Sequence, residues 1–450
     1  MASTRISTIA DHIQHPTDIS QANMVQKVFQ LIPGVQSYDW GIVGASSSRV
    51  AQFAAATTQL DFHPQADKPY AELWMGTHAS LPSRAILSSG TQDLSSYLAA
   101  HPQLIGERVI AKFADEQPGC LPFLFKVLSV GKALSIQAHP DKALGKRLHA
   151  ARPDVYRDPN HKPEMAVALT AFRGFCGFRP LEEIARFVEG VLEFAQLVKV
   201  SRAEVESAAA AAEAQKKAVL KTIFANLMNS PQSAYAPLAA QLAQRFSQGP
   251  VEGVPEQERK LVLKLAAEFP EDVGIFCTFL LNISTLQPGQ ALFLQANEPH
   301  AYLEGEILEC MASSDNVVRA GLTPKLRDTD TLVEMCTYQS GSDRGRLAGE
   351  RWAKSSPAQV EALLYDPPIE EFSVVTTRLG EGGVVRNKEV GGPSIVIVLD
   401  GSVLLKEDGV AGGGLRLERG QLAFVGAGVG VVFSNVGAGE VGLARAFVEA

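Results

Sequence analysis

Apolar and polar residues follow one rhythm up to Pro180, a second from there to about Leu286, and the first again beyond it. From Val28 to about Phe178, short apolar-rich segments are broken by Gly, Pro, Asn and Asp, the pattern of strands joined by tight turns. Within it, FLFKVLSV-GK-ALSIQAH (Phe123 to His139) predicts a hairpin, because Gly131 leads a two-residue turn between β-favouring runs. Between Pro180 and Leu286 the segments PLEEIARFVEGVLEFAQLV, RAEVESAAAAAEAQKKAVLKTIFANLM, AYAPLAAQLAQRF and PEQERKLVLKLAAEFPEDVG space their apolar residues by three and four. They are rich in Ala, Leu, Glu and Lys, so they predict a block of helices. The alanine run Ala208 to Ala212 is flanked by Glu and Lys and suits a solvated helix.

Strand texture returns in LQPGQALFLQANEPHAYLEGEILECMASS. It continues, after a mixed segment near Ser340 to Pro357, through FSVVTTRL, PSIVIVLDGSVLLK and RGQLAFVGAGVGVVFS. With DGVAGGG as a hairpin loop, the Gly-rich C-terminal third predicts a β-sandwich or jelly roll. The expected layout is mainly β with a helical insertion. An extension covers 1–27, a first β part 28–180, the insertion 181–285, the second part of the same β unit 286–345, and a further β unit 346–450.

Composition changes this picture little. The 450 residues are 46% hydrophobic and 20% charged, an ordinary globular balance. A formal net charge of -8 argues against a nucleic-acid surface or a polybasic membrane face, so any phosphate site has to be built locally. Five scattered cysteines without CxxC spacing read as buried thiols of a reduced, intracellular chain. No apolar run reaches the roughly 18 residues of a membrane span. The first two dozen residues lack the apolar core of a signal peptide, so a cytoplasmic location is expected.

The candidate chemistry begins in SIQAHPDK. Strand alternation projects Gln137 and His139 to one side and Ile136 and Ala138 to the other. Taken alone, the pair reads more simply as a structural histidine beside an exposed glutamine. Glu164 changes that reading, because it opens the strand of YRDPNHKPEMAVALTAF on the same side as Ala166 and Ala168, where a carboxylate is costly unless paired or metal-bound. His300 follows Pro299 in the turn that closes QALFLQ. Gln137, His139, Glu164 and His300 together offer two imidazole nitrogens, a carboxylate and an amide oxygen, a set suited to Zn²⁺. None of the nine histidines lies beyond His300, so the C-terminal β unit carries no imidazole metal site. His12, His15, His63, His101 and His149 are expected to face solvent, whereas His78 in AELWMGTHAS is less easily dismissed. ECMASSDNVVRAGLTPKLRD concentrates Asp315, Asn316, Arg319, Lys325 and Arg327 within an acidic protein. Its Arg and Lys, separated by a GLTP turn, can converge on an anion.

These residues carry a resemblance. YDWG, AELWMGTH, SIQAHPDK, NHKPEMAVAL, NEPHAYLEGEILECMASSDNVVRAGLTPK and the helical insertion resemble the type I mannose-6-phosphate isomerases of the eukaryotic kind, from about Val28 to the C-terminus. The resemblance implies two cupin, or jelly-roll, β units plus an α-helical domain. It also implies a zinc-dependent enzyme, with one Zn²⁺ per chain, that interconverts mannose 6-phosphate and fructose 6-phosphate for mannose activation. The family's zinc ligands fall on Gln137, His139, Glu164 and His300, and its catalytic arginine on Arg319. Its pocket residues fall on Trp40, Ser135, Lys162, Tyr302, Asp315 and Lys325. A monomer acting on a small sugar phosphate is expected.

Isomerisation through an enediol needs a base, a stabiliser for the oxyanion and a grip on phosphate. Lys162, on the face of Glu164 if Pro163 keeps the chain extended, is the first candidate for the base, with His161 and Asp315 assisting ring opening. Glu309 is the alternative base. Two other classes compete: a non-haem iron cupin oxygenase, and a non-catalytic sugar-phosphate-binding cupin.

Overall fold

The computed structural model describes residues 25–357 and 359–450. The expected extension 1–27 therefore lies almost wholly outside the described residues, as do His12 and His15. The mainly β architecture with a helical insertion is the one observed. The described strands form an eleven-stranded, a nine-stranded, a five-stranded and a two-stranded sheet.

The eleven-stranded sheet turns about one long strand, His300–Ala312. The first half of that strand pairs with Phe172–Phe178 and, at His300, with Gln137. The second half lies between Phe123–Val130 and Glu164–Ala168. One face of the sheet encloses Leu128, Val130, Ala166, Ala168, Leu292, Leu294, Tyr302 and Ile307. Its other face presents Val127, Met165, Val167, Leu308 and Cys310 to a core shared with the nine-stranded sheet. Alternation explains the division: Ala166 and Ala168 turn inward while Met165 and Val167 turn to the shared core.

The nine-stranded sheet is itself buried on both faces. In Ser394–Asp400, Ile395 and Ile397 pack toward the eleven-stranded sheet, and Val396 and Val398 toward the five-stranded one. Double burial is why SIVIVLD reads as an unbroken apolar run rather than an alternating one. The strand Val28–Ile32, from the start of the described chain, completes this sheet between Leu422–Val425 and Arg84–Leu87. DGVAGGG does close a hairpin, joining Ser402–Glu407 to Leu415–Glu418.

One sequence expectation is overturned. Phe123–Val130 and Ile136–Ala138 do not form a hairpin. The first pairs with Glu72–Met75 and His300–Ala312, and the second pairs with His300 and with Val318–Gly321. The amides of Gly131 and Lys132 donate to the carbonyl of Trp40, so this segment leads the chain away to another partner. The insertion is helical from Leu181–Gly190 to Glu256–Glu268, and its core continues onto Ile136, Ala138, Val318 and Ala320 on the outside of the sheet. Cys176, Cys277, Cys310 and Cys336 are buried, and all five cysteines are free.

Candidate metal centre and active site

The short strand Ile136–Ala138 assembles the site. Ile136 and Ala138 are fully buried against the helical core, which leaves Gln137 and His139 on the opposite side. Gln137 lies opposite His300 on one neighbouring strand and Arg319 on the other. Directly opposed residues of an antiparallel pair share a face, so an amide, an imidazole and a guanidinium are brought to one side of the sheet.

The donor atoms of His139, Glu164 and His300 lie within 4.8 Å of one another, and all three residues are buried. Nε2 of His139 is 3.3 Å from Oε1 of Glu164, and Nε2 of His300 is 3.4 Å from Oε2. Nδ1 of His139 donates to the carbonyl of Asn316 at 2.6 Å, and Nδ1 of His300 to that of Glu298 at 3.0 Å. A carbonyl accepts but cannot donate, so both rings carry a proton on Nδ1 and turn Nε2 toward the carboxylate. Burial lowers the His139 imidazole to about 4 even beside Glu164, which keeps that ring neutral. Both Nε2 atoms are buried without a hydrogen-bond partner among the described residues. Ring nitrogens and carboxylate oxygens that face one another away from the surface form a donor set that a cation between them would satisfy. The donor set, two imidazoles and a carboxylate with Gln137 at its edge, fits a zinc ion. The backbone carbonyls behind the rings are the outer partners that fix imidazole orientation at such sites.

A second buried cluster adjoins the first. Lys126 is 6% exposed and places Nζ 3.3 Å from Glu72 and 3.1 Å from Glu309. Burial alone would lower this ammonium, but Glu72, Glu309 and Glu164 outweigh it and hold the group well above the ordinary lysine range. For Glu309, burial together with the Glu164 and Glu72 charges lifts the carboxyl above its usual range, against the pull of Lys126. Trp74 lies 4.8 Å below the Lys126 ammonium and donates its Nε1 proton to Glu72 at 2.6 Å. Lys162 meets Oε1 of Glu164 at 2.9 Å, as an extended Lys162–Glu164 segment requires. Burial would raise the Glu164 carboxyl, but Lys162 and His139 overcome it and hold it well below the carboxylate range. The Tyr302 hydroxyl donates to Oε2 of Glu164 at 3.4 Å, and burial, with Glu309 and Glu164 nearby, pushes that phenol far up.

Sequence comparison places this geometry in a lineage. Residues 28–181 match the family model of the phosphomannose isomerase type I catalytic domain, 196–281 its helical insertion domain, and 362–406 its C-terminal part. A mannose-6-phosphate isomerase of Cryptococcus neoformans is 45% identical, with 95% of this chain and 100% of that protein covered. The chain belongs to the type I phosphomannose isomerase family. The Saccharomyces cerevisiae mannose-6-phosphate isomerase is 44% identical over 89% of this chain and 94% of its own. A crystal structure of a zinc-bound mannose 6-phosphate isomerase superimposes with a TM-score of 0.76 at 28% identity, covering 94% of this chain and all of that one.

Within this phosphomannose isomerase fold, the remaining residues predicted for the site fall into three groups. Arg319 shares the face of Gln137 and is half-buried. Burial lowers its guanidinium from the ordinary range. Trp40 packs against the inner cluster that contains Tyr302, and Ser135 is half-buried just before Ile136. His161 and Asp315 turn to other partners, and Lys325 turns to solvent. His161 commits Nε2 to Glu371 at 2.5 Å, Asp315 faces Nε2 of His78 at 3.5 Å, and Lys325 is exposed. Asp315, His78 and Glu371 line a cavity of about 450 Å³ to which none of the metal-site donors contributes. Lys126 and Glu72 escaped the sequence reading. The available signal was a lysine in FLFKVLSV, a strand otherwise uncharged, largely apolar on both faces and buried throughout.

Proposed function

We propose that this chain is a zinc-dependent aldose–ketose isomerase that interconverts D-mannose 6-phosphate and D-fructose 6-phosphate. The observation that carries the reading is the buried trio His139, Glu164 and His300, whose donor atoms converge next to the strand on which Arg319 faces Gln137. Gln137, His139, Glu164 and His300 would hold one zinc ion per chain. When bound, zinc supplies a Lewis acid that polarises the sugar's carbonyl and hydroxyl oxygens.

The protein's own groups account for the rest. Lys162 takes the proton from C2 of the open-chain aldose, leaving a cis-enediolate; the proton of the C2 hydroxyl passes to O1, and Lys162 returns its proton to C1 to give the ketose. Its position 2.9 Å from Glu164 sets it at the edge of the donor cluster. Arg319 stays cationic and balances the negative charge that develops on the enediol oxygens. Lys126, paired to Glu72 and Glu309, keeps a permanent positive charge on the interior wall. Trp40 and Tyr302 bound the sugar. Ser135 and Lys325 are the candidates to meet its phosphate. In metabolism the reaction would supply mannose for GDP-mannose and glycan synthesis.

Purified protein should contain close to one zinc per chain and convert mannose 6-phosphate in an assay coupled through phosphoglucose isomerase to glucose 6-phosphate. Chelation should abolish turnover and zinc should restore it. Bound iron with oxygen-dependent chemistry would move the chain to the oxygenase class, and zinc without turnover to the binding class. Replacing Lys162 with Met should cut turnover by about 10²–10⁴-fold with zinc content near wild type, the range of general-base contributions. Near-normal turnover would remove Lys162 as the proton carrier and leave Glu309, tested as Glu309→Gln.

A further inference from the structure

We infer that Asp272, contributed by the helical insertion, positions the segment that carries Arg319 and Lys325 and so tunes affinity for the anionic substrate. The inference rests on the isomerase reading of Arg319 and Lys325. Three backbone amides converge on its carboxylate. Oδ1 accepts from Gly274 at 2.6 Å and from Leu322 at 2.7 Å, and Oδ2 accepts from Thr323 at 3.2 Å. Gly274 belongs to the insertion's own terminal 3₁₀ turn, Val273–Phe279, which Asp272 caps. Leu322 and Thr323 are the first residues after the strand Val318–Gly321, which aligns Arg319 with Gln137. One side chain thus ties the end of the helical insertion to the exit of the strand.

The tie is needed because the turn is not self-supporting. Leu322 has a φ of +53°, a left-handed conformation that strains a residue carrying a Cβ. The backbones also meet closely: a Cβ on Gly321 would lie 2.7 Å from Cα of Gly274, and one on Gly274 would lie 2.7 Å from the amide of Leu322. The register between Val318–Gly321 and Ile136–Ala138 shifts between Arg319 and Gly321, so the ladder loosens at the point where Asp272 takes over. Without the carboxylate, the Leu322 and Thr323 amides lose their acceptor. Pro324 and Lys325 then hang from a turn shaped by the bond from the Lys325 amide to Thr323 Oγ1, 3.1 Å. Asp272 is a positioning residue, since it reaches the substrate only through the turn.

The test compares wild type with Asp272→Ala and Asp272→Asn as zinc-loaded full-length enzyme, with inorganic phosphate as competitive inhibitor. Loss of the charged acceptor should raise KM for mannose 6-phosphate and the inhibition constant of phosphate together by about tenfold in Asp272→Ala, the effect of one charge-assisted bond. Zinc content should be unchanged, and kcat should stay within about threefold of wild type. Asn keeps one oxygen for Gly274 and Leu322, so Asp272→Asn should fall between the two. An unchanged KM and phosphate constant in Asp272→Ala, or a loss confined to kcat or to the folded fraction, overturns the inference. Absence of isomerase activity in wild type would instead overturn the functional reading on which it rests.

Discussion

Lys126 holds its charge in the interior because two carboxylates sit within 3.3 Å of it and replace the water it has lost. Gln137 is the opposite case, a neutral residue whose value comes from where its strand aims it. Its neighbours Ile136 and Ala138 are anchored in the helical core, so the amide has little freedom to turn away from His300. An amide oxygen is a weaker zinc donor than imidazole or carboxylate, but its loss leaves a coordination position to water. Gln137→Leu preserves the side chain's approximate volume and removes the oxygen. We expect zinc to leave this variant about 10–100-fold faster under a chelator, comparable to losing an orienting partner at other zinc sites, with the fold intact. Zinc release at the wild-type rate would take Gln137 out of the ligand set. The same residue shows what was legible: period-two alternation placed Gln137 with His139, and burial cost marked Glu164 as a partner. Lys126 was not legible, because nothing in one strand's sequence announces that glutamates of two other strands will reach its ammonium.

At the scale of elements, the long strand His300–Ala312 had to break its own alternation to build the site. His300 and Glu309 differ by an odd number and would face opposite sides of a regular strand. The register with Phe172–Phe178 slips by one residue at Leu303, where Arg173 faces Glu304 but Gly174 faces Tyr302, and Gly305 follows with a φ of +106°. This bulge returns Glu309 to the side of Tyr302 and opposite Lys126. Lys264 of the insertion accompanies it, donating to the Leu303 carbonyl at 2.7 Å. A Gly in a strand is a known sign of a bulge, but its register depends on the partner strand and could not be read from LEGEILE. The failed hairpin has the same cause: Phe123–Val130 and Ile136–Ala138 have strand-like sequences, and the partner of each was decided by distant strands. Helix ends were more local. Asp328 caps Thr329–Met335 by accepting from the Thr331 amide at 3.2 Å, and it also receives Arg152 at 2.7 Å and the Tyr156 hydroxyl at 2.8 Å. Burial opposes its charge, but those bonds outweigh burial and lower the carboxyl below its ordinary value. A carboxyl depressed in the folded state adds stability above its unfolded value, near pH 3.9, and loses it as pH falls through the native value. Asp328→Asn should therefore lower stability at pH 7 by about 1–2 kcal/mol, the scale of a helix cap with a charged bond. The gap between the two proteins should close below about pH 4 in urea melts. A gap that is constant from pH 7 to pH 2 would show that the Asp328 charge contributes nothing.

At the scale of the whole molecule, the catalytic and C-terminal parts do not divide where the chain divides. Val28–Ile32 and Arg84–Leu87 belong by position to the first part, yet they extend the sheet formed by Leu422–Val425, Ser394–Asp400 and Val441–Phe447. The core between the two large sheets mixes Phe29, Leu31, Phe53, Leu73 and Phe125 with Phe372, Ile395, Phe424 and Ala446. Glu371 from the C-terminal part also holds His161, the residue next to Lys162. Composition along the chain marks where textures change, and it cannot reveal that an early strand will be stored in a late sheet. The C-terminal third therefore supports the sheet that carries His139, Glu164 and His300 without contributing any of the three. A chain ending at residue 345 would leave Val28–Ile32 with an open edge and expose the side chains of the shared core that now meet Ile395 and Phe424. Burying each of those large side chains is worth about 1.5–3 kcal/mol, so losing several together exceeds the whole stability of an ordinary domain. The truncated chain should accumulate as insoluble protein, and any soluble fraction should lack a cooperative thermal transition and fail to retain zinc through gel filtration. A soluble, cooperatively melting, zinc-loaded fragment would show that the metal-binding part stands on its own core, and that the shared sheet is an accessory rather than a foundation.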